Sequence, residues 1–230
     1  MPYFYYDYYY LILVLPAMLI ALWAQIKVKS TYSKYSKQLS SRSRTAAEVT
    51  RQILDRNGLR NVRIERVSGS LTDHYDPRSN VIRLSDSVYG DTSVASIGVA
   101  AHEAGHAVQH ATGYIPIKVR NAVLPVANIG STLAFPLILI GIIFSFGPLV
   151  TAGIILFSAV LVFQLLTLPV EFNASRRAVA TLESYYILEG DEVKGAKKVL
   201  GAAAMTYVAS TLVAAMQLLR LVLISRRNRD

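Results

Sequence analysis

Two histidines four residues apart, with a glutamate after the first, form the part of this chain best arranged for chemistry: Ala101-His102-Glu103-Ala104-Gly105-His106. On an α-helix, positions i and i+4 lie one above the other on the same face, so His102 and His106 can offer two imidazole nitrogens to one metal ion. Glu103 stands one position on, beside a water in an open coordination position. This H-E-x-x-H spacing is the one by which zinc-dependent peptidases hold metal and place a general base. Small residues surround it (Ala100, Ala101, Ala104, Gly105, Ala107), so other chain can approach closely. The plain alternative is a helix with two surface histidines. In a chain with only four histidines, the metal reading is the stronger one.

A catalytic zinc wants three protein ligands and an open position, so one ligand must come from elsewhere. A three-histidine metzincin would need Gly at 109 and His at 112, but the chain has Gln109 and Thr112, which removes that class. His110 follows His102 by eight residues, about 80° round the helix, which suits a supporting or surface role. No acid lies between Glu103 and Glu171, so Glu171 is the first carboxylate downstream that could complete the set. Glu183, Glu189, Asp191 and Glu192 stay open as alternatives, although they read as solvent-facing charges. His74, in Asp73-His74-Tyr75-Asp76 ahead of Pro77, reads as part of a turn capped by Asx side chains.

The histidine helix needs a scaffold, and residues 27–120 supply the polar part of the chain. Thr45-Ala-Ala-Glu48 is a capping box that opens a helix through Val49, Ile53 and Leu54, with Gly58 as its stop. Val62–Val67 alternates as a half-buried strand does, Ser68–Pro77 is a turn-rich loop, and Asn80–Ser85 is a second short strand. The histidine helix starts near Asp91 or Ser93 and runs to about His110, with Gly113 past its end. Together these make a small α+β unit.

The rest of the chain is apolar. Hydrophobic residues make up 53% of the 230, charged residues only 17%, and residues 121–170 contain no Asp, Glu, Lys or Arg. A bilayer crossing takes about 20 apolar residues, so this stretch holds two crossings, turning at Ser145-Phe-Gly-Pro148. Residues 8–26 form a further apolar run opened by tyrosines, which favour the membrane interface, and residues 199–219 form another. The predicted architecture is an integral membrane α-helical protein of three to four transmembrane helices with a small cytoplasmic α+β zincin-like catalytic unit. Its parts are an N-terminal transmembrane helix (1–26), the catalytic unit (27–120), a transmembrane hairpin (121–170), a cytoplasmic helix with the third ligand (171–198), and an apolar membrane-associated or transmembrane helix with a basic tail (199–230). The second helix should start near Ala122, and a new helix carrying Arg176 and Arg177 should begin after Glu171.

Charge orients the chain and excludes partners. Lys27, Lys29, Lys34, Lys37, Arg42 and Arg44 follow the first apolar run with no acid among them, which places them in the cytoplasm by the positive-inside rule. The expected location is a bacterial inner or plasma membrane, with the active site facing the cytoplasm. A fourth crossing would leave Arg226-Arg227-Asn228-Arg229 outside, against that rule; the last apolar run is expected to be a fourth membrane helix or a deeply embedded one. The net charge of +9 sits beside apolar segments, so it fits membrane lipid headgroups, and no nucleic-acid-binding signature accompanies it. The chain has no cysteine, hence no disulfide and no thiolate metal site.

His102-Glu-Ala-Gly-His106, the two-span insertion and Leu168-Pro-Val-Glu-Phe-Asn-Ala-Ser-Arg-Arg-Ala178 resemble neutral zinc metallopeptidase family 2, the YugP-like membrane proteases of bacteria. Thr72-Asp-His-Tyr-Asp-Pro77 and the Leu200–Tyr207 segment are similar to that family too, so the resemblance covers nearly the whole chain. The layout is more distantly similar to HtpX-type and CAAX-type membrane gluzincins, where a helix pair also separates the histidine helix from the glutamate helix. In those proteins an Asp four residues after the ligand glutamate orients a zinc-bound histidine. Here that position is Ser175, so the resemblance hands the supporting role to Ser175 or Asn173.

The expected activity is that of a membrane-integral zinc endopeptidase acting on protein or peptide substrates. Zn²⁺ is held by His102, His106 and Glu171, with Glu103 as the base for the attacking water. Tyr207, Tyr186, Arg176 and Arg177 are candidate donors to the oxyanion, and Asn80–Ser85 is the candidate sheet edge for a substrate strand. An ATP-dependent protease would need a phosphate-binding loop that this chain lacks, so no ATP is expected. A site-2-type protease would need an Asp on a later membrane helix, and residues 107–170 contain none. The alternative of another class is a non-catalytic, zinc-stabilised membrane scaffold or adaptor.

Overall fold

The computed structural model describes residues 8–227. Tyr3, Tyr5 and Tyr6, which the sequence would join to Tyr8–Tyr10 in a belt at the membrane interface, and the tail from Asn228 lie outside them. A π-helical turn at Tyr10–Val14 leads into α1 (Leu15–Tyr35), followed by α2 (Ala46–Arg56), β1 (Arg63–Val67), β2 (His74–Asp76), β3 (Val81–Ser85), α3 (Asp86–Tyr89), α4 (Val94–Ala111), α5 (Ile115–Ile143), α6 (Gly147–Ser184) and α7 (Asp191–Arg227). The chain divides into two compact units. One holds Ile26–Ile117 and Pro169–Met205; the other holds the chain up to Gln25, Lys118–Leu168 and the chain from Thr206.

In the first unit the caps act as the sequence requires. The Thr45 side chain accepts from the Glu48 amide while the Glu48 carboxylate accepts from the Thr45 amide. Gly58, at φ +73°, turns the chain out of α2 in a conformation that a side chain would resist. Ser93 caps α4, accepting from the Ser96 amide. The three-stranded sheet has the order β1-β3-β2, with β1 parallel and β2 antiparallel to β3. Val49, Leu54, Ile82, Leu84, Ile97, Leu182 and Leu188 close the core between α2, the sheet, α4 and α6.

Four expectations are corrected here. The loop Ser68–Pro77 contains a strand, β2, whose hairpin with β3 is pinned by Asp76 accepting from the Arg78 amide and the Ser79 hydroxyl; a three-residue strand is too short to show an alternation. With β2 on one side and β1 on the other, Asn80–Ser85 is the central strand, so its backbone is already paired and it is no free edge. Finally, α6 does not restart after Glu171. It runs through Pro169 to Ser184, and α5 begins at Ile115 rather than near Ala122. Proline removes one helical hydrogen bond and need not end a helix that packing holds on both sides.

In the second unit, small residues let α5 and α6 approach closely: a Cβ on Gly153 would lie 2.7 Å from the Ala134 carbonyl oxygen. The end of α7 joins them through Leu221, which packs with Ala134, Ile138 and Phe157. Arg220 stacks over the Tyr10 ring at 5.5 Å. Large apolar side chains such as Leu139, Ile143, Phe144 and Ile155 remain exposed, as faces that meet lipid must be. Among the described residues, four helices are long and apolar enough to cross a bilayer, and the last begins at Asp191. The final apolar run is thus a candidate span by length and composition. This is a membrane protein.

Candidate metal centre

His102 and His106 stand one turn apart on α4, their rings 4.7 Å apart and nearly perpendicular. Glu171 comes to them from α6, 5% exposed. Its Oε2 lies 3.3 Å from His102 Nε2 and 3.6 Å from His106 Nε2. Close helix packing makes this possible: Gly105 faces the Ala174 backbone, where a Cβ would lie 2.9 Å from the carbonyl oxygen. Among the described residues, these three form the group whose ligand atoms all lie within 4.8 Å of one another. Glu183, Glu189, Asp191 and Glu192 are outside that group. Glu189 and Glu192 instead tie down the chain after α1, through Arg42 and the Ser41 amide.

The donor set fits zinc. A tetrahedral ion with bonds of about 2.0–2.1 Å has ligand–ligand edges of about 3.3–3.4 Å, close to the two observed carboxylate–imidazole separations. The hydrogen bonds behind the rings point the same way. His106 Nδ1 meets Gln109 Oε1 at 3.0 Å, and His102 Nδ1 meets Ser175 Oγ at 3.1 Å. With the Nδ1 sides occupied, both Nε2 atoms face the carboxylate. An imidazole nitrogen and a carboxylate oxygen this close need a proton or a metal ion between them. The same crowding raises the His106 pKa above its ordinary value: burial opposes the charge, but Glu171, Glu103 and Gln109 outweigh it.

Glu103 is 8% exposed and has no ion pair among the described residues. His110 packs edge-on against Tyr75 of β2, with ring centres 5.5 Å apart, and so joins α4 to the sheet. His74 is exposed on β2, its Nδ1 2.8 Å from the Thr72 carbonyl oxygen. Of the four oxyanion candidates, Arg177 is tied to the site by hydrogen bonds, donating from Nε to Asn173 Oδ1 at 2.8 Å. Arg176 and Tyr186 are exposed, and Tyr207 lies on α7 in the other unit, its carbonyl accepting from Ser210 and Thr211. Gln109 escaped the sequence reading as a contributor. It is fully buried, and its amide donates to the Val170 carbonyl and to Asn173 Oδ1. A polar residue one turn past the second histidine was the available signal.

Residues 10–226 match the protein family described as "Putative neutral zinc metallopeptidase". Over 221 residues the chain is 48% identical to the "Putative membrane protease YugP" of Bacillus subtilis (strain 168), covering 96% of this chain and 98% of that relative. No solved structure matches the chain.

Proposed function

The chain belongs to this neutral zinc metallopeptidase family, and we propose that it is a membrane-integral, gluzincin-type endopeptidase. It cleaves peptide bonds of membrane or membrane-proximal proteins on the cytoplasmic side of a bacterial membrane. The observation that carries this reading is the convergence of the His102, His106 and Glu171 ligand atoms within 4.8 Å. The basic run from Lys27 to Arg44, free of acids, supports the orientation.

Zinc bound there supplies a Lewis acid and lowers the pKa of a bound water toward about 7. The chain's residues do the rest. Glu103 takes the proton of the attacking water and returns it to the leaving amine. Ser175 and Gln109 hold the two imidazoles at a fixed angle, so that the ligand set does not reorganise between substrates. A substrate chain pairs with β2, which lies against α4 through Tyr75 and His110 and has an edge away from β3.

Purified protein should carry zinc and cleave casein or a membrane-protein substrate. Glu103→Gln should keep the zinc and lose about 10²- to 10⁴-fold in rate, the usual contribution of a general base. Full activity in Glu103→Gln would falsify the general-base role. Zinc bound by both forms, with cleavage by neither, would favour the scaffold.

A further inference from the structure

We infer that Gln109 fixes His106 in the tautomer a metal needs, and that Asn173 and Arg177 act as positioning residues that hold Gln109 in that orientation. The inference rests on the zinc site proposed above, and its geometry follows from the donor and acceptor roles of Val170, Gln109, Asn173 and Arg177.

The chain of bonds has two unambiguous ends. The Val170 carbonyl can only accept, and Gln109 presents nitrogen to it at 2.8 Å. That nitrogen is therefore the Gln109 amide NH₂, and the other branch is the oxygen. A guanidinium can only donate, and Arg177 Nε meets Asn173 at 2.8 Å, so the Asn173 atom there is its carbonyl oxygen. The same oxygen accepts the second Gln109 N–H at 3.0 Å. Both amide hydrogens of Gln109 are thus committed to acceptors on α6. Its oxygen faces His106 Nδ1 at 3.0 Å and can only accept, so Nδ1 carries the hydrogen. When the ring is neutral, the lone pair lies on Nε2, toward Glu171.

His102 lacks such a constraint. Its Nδ1 meets the Ser175 hydroxyl, which donates as readily as it accepts. The two ligands therefore differ: one tautomer is set by the fold, and the other adjusts. Gln109 is fully buried, so it cannot exchange this partner for water, and reversing the amide would leave buried donors and acceptors mismatched. The relay also pins Val170 and Asn173, on either side of Glu171, to the histidine helix. One side chain thereby holds the second histidine and the carboxylate helix in register.

The test reads the relay with and without metal. Four histidines make ¹⁵N NMR of ring-labelled, zinc-free protein in detergent tractable, with His106 assigned by its loss in His106→Gln. At alkaline pH the parent should show His106 protonated at Nδ1 and bare at Nε2. Gln109→Met, which keeps the volume but removes the acceptor, should lose that signature. Its affinity for Zn²⁺, measured by chelator competition, should be about 10- to 100-fold weaker, the usual effect of removing such a partner. Gln109→Glu still accepts from Nδ1 and should keep the tautomer, while the lost donors leave its affinity between the other two. Asn173→Ala should weaken Zn²⁺ less than Gln109→Met, and the double variant should be no worse than Gln109→Met, because Asn173 acts through Gln109. A parent His106 protonated at Nε2 overturns the inference without any variant, as does Gln109→Met with tautomer and affinity unchanged. Additive losses in the double variant remove the relay. A parent with the Nδ1–H form, lost in Gln109→Met, that binds no Zn²⁺ supports the relay and defeats the zinc reading instead.

Discussion

Replacing Gly105 by alanine should weaken zinc binding about tenfold while costing the fold about 0–2 kcal/mol. A Cβ at this position would lie 2.9 Å from the Ala174 carbonyl oxygen and 3.4 Å from the carbonyl carbon and Cα. Comfortable packing of carbon against other heavy atoms begins near 3.5 Å, so α6 must yield by about half an ångström. Two opposing effects act on stability. Alanine in a helix interior is favoured over glycine by about 1 kcal/mol, while overpacking against rigid backbone costs about 1–3 kcal/mol. The net loss is therefore about 0–2 kcal/mol. The site responds too, because Glu171 precedes Ala174 by about one helical turn and moves with it. The carboxylate already stands 3.3 and 3.6 Å from the two Nε2 atoms, and half an ångström is about the tolerance of a metal constellation. If a misplacement of 1 Å costs about 100-fold, half that distance costs about tenfold. Chelator competition gives the Zn²⁺ affinity, and thermal unfolding of the zinc-free protein in detergent gives the stability. A more stable Gly105→Ala protein that binds zinc like the parent would refute the idea that this helix contact sets the donor spacing.

Three further substitutions probe the ligand set and the topology. Glu171→Ala should lose zinc by more than the 10- to 100-fold expected for removing an outer partner, and Glu171→Gln should also bind poorly, because an amide oxygen is a weaker donor than a carboxylate; loss on Glu183→Ala instead would move the third ligand downstream. Ser175→Ala should cost at most about tenfold in zinc affinity, near the lower end of that range, since it removes the one partner of His102 Nδ1 that lies 3.1 Å away. Because the chain has no cysteine, cysteines placed at Ser41, Ser184 and Gly147 can be labelled from either face of oriented vesicles. The first two should react from the cytoplasmic side alone and the third from outside; finding Ser41 and Ser184 on opposite faces would sink the site as drawn.

What could be read in the sequence depended on whether a feature is periodic. His102 and His106 declare themselves because four residues make one turn of a helix, and Thr45 with Glu48 because a capping box has a fixed spacing. The apolar runs declare themselves as candidate spans by length and composition. Glu171 was reachable by a different route: as the first acid after Glu103 it led the candidates, with the later acids still open, and the structure brings its carboxylate near both imidazoles. Strand β2 had no such signal, because three residues hold too little alternation to separate a strand from a turn. Missing it moved the sheet edge to the wrong segment, since a strand's place in the sheet is a property of its neighbours rather than of its own residues.

The hydrogen bonds behind the metal ligands show the same limit more sharply. Gln109 was informative in the sequence only for what it is not, a glycine of a three-histidine motif. Its partners are 61 and 64 residues away, at Val170 and Asn173, and no local pattern joins positions so far apart. Burial makes the residue consequential: a glutamine on a surface helix would exchange hydrogen bonds with water at little cost, whereas here both amide hydrogens and the oxygen have one partner set each. A motif can therefore name the atoms that would bind zinc, but not which of their nitrogens is free to do so. That depends on a donor–acceptor order running from Arg177 through Asn173 and Gln109 to His106, which exists only once α4 has packed on α6. The closeness of that packing rests on Gly105, a residue inside the motif that contributes no ligand atom. The motif's small residues are thus as much a part of the site as its histidines, because they let the carboxylate helix come near enough for a third ligand to exist.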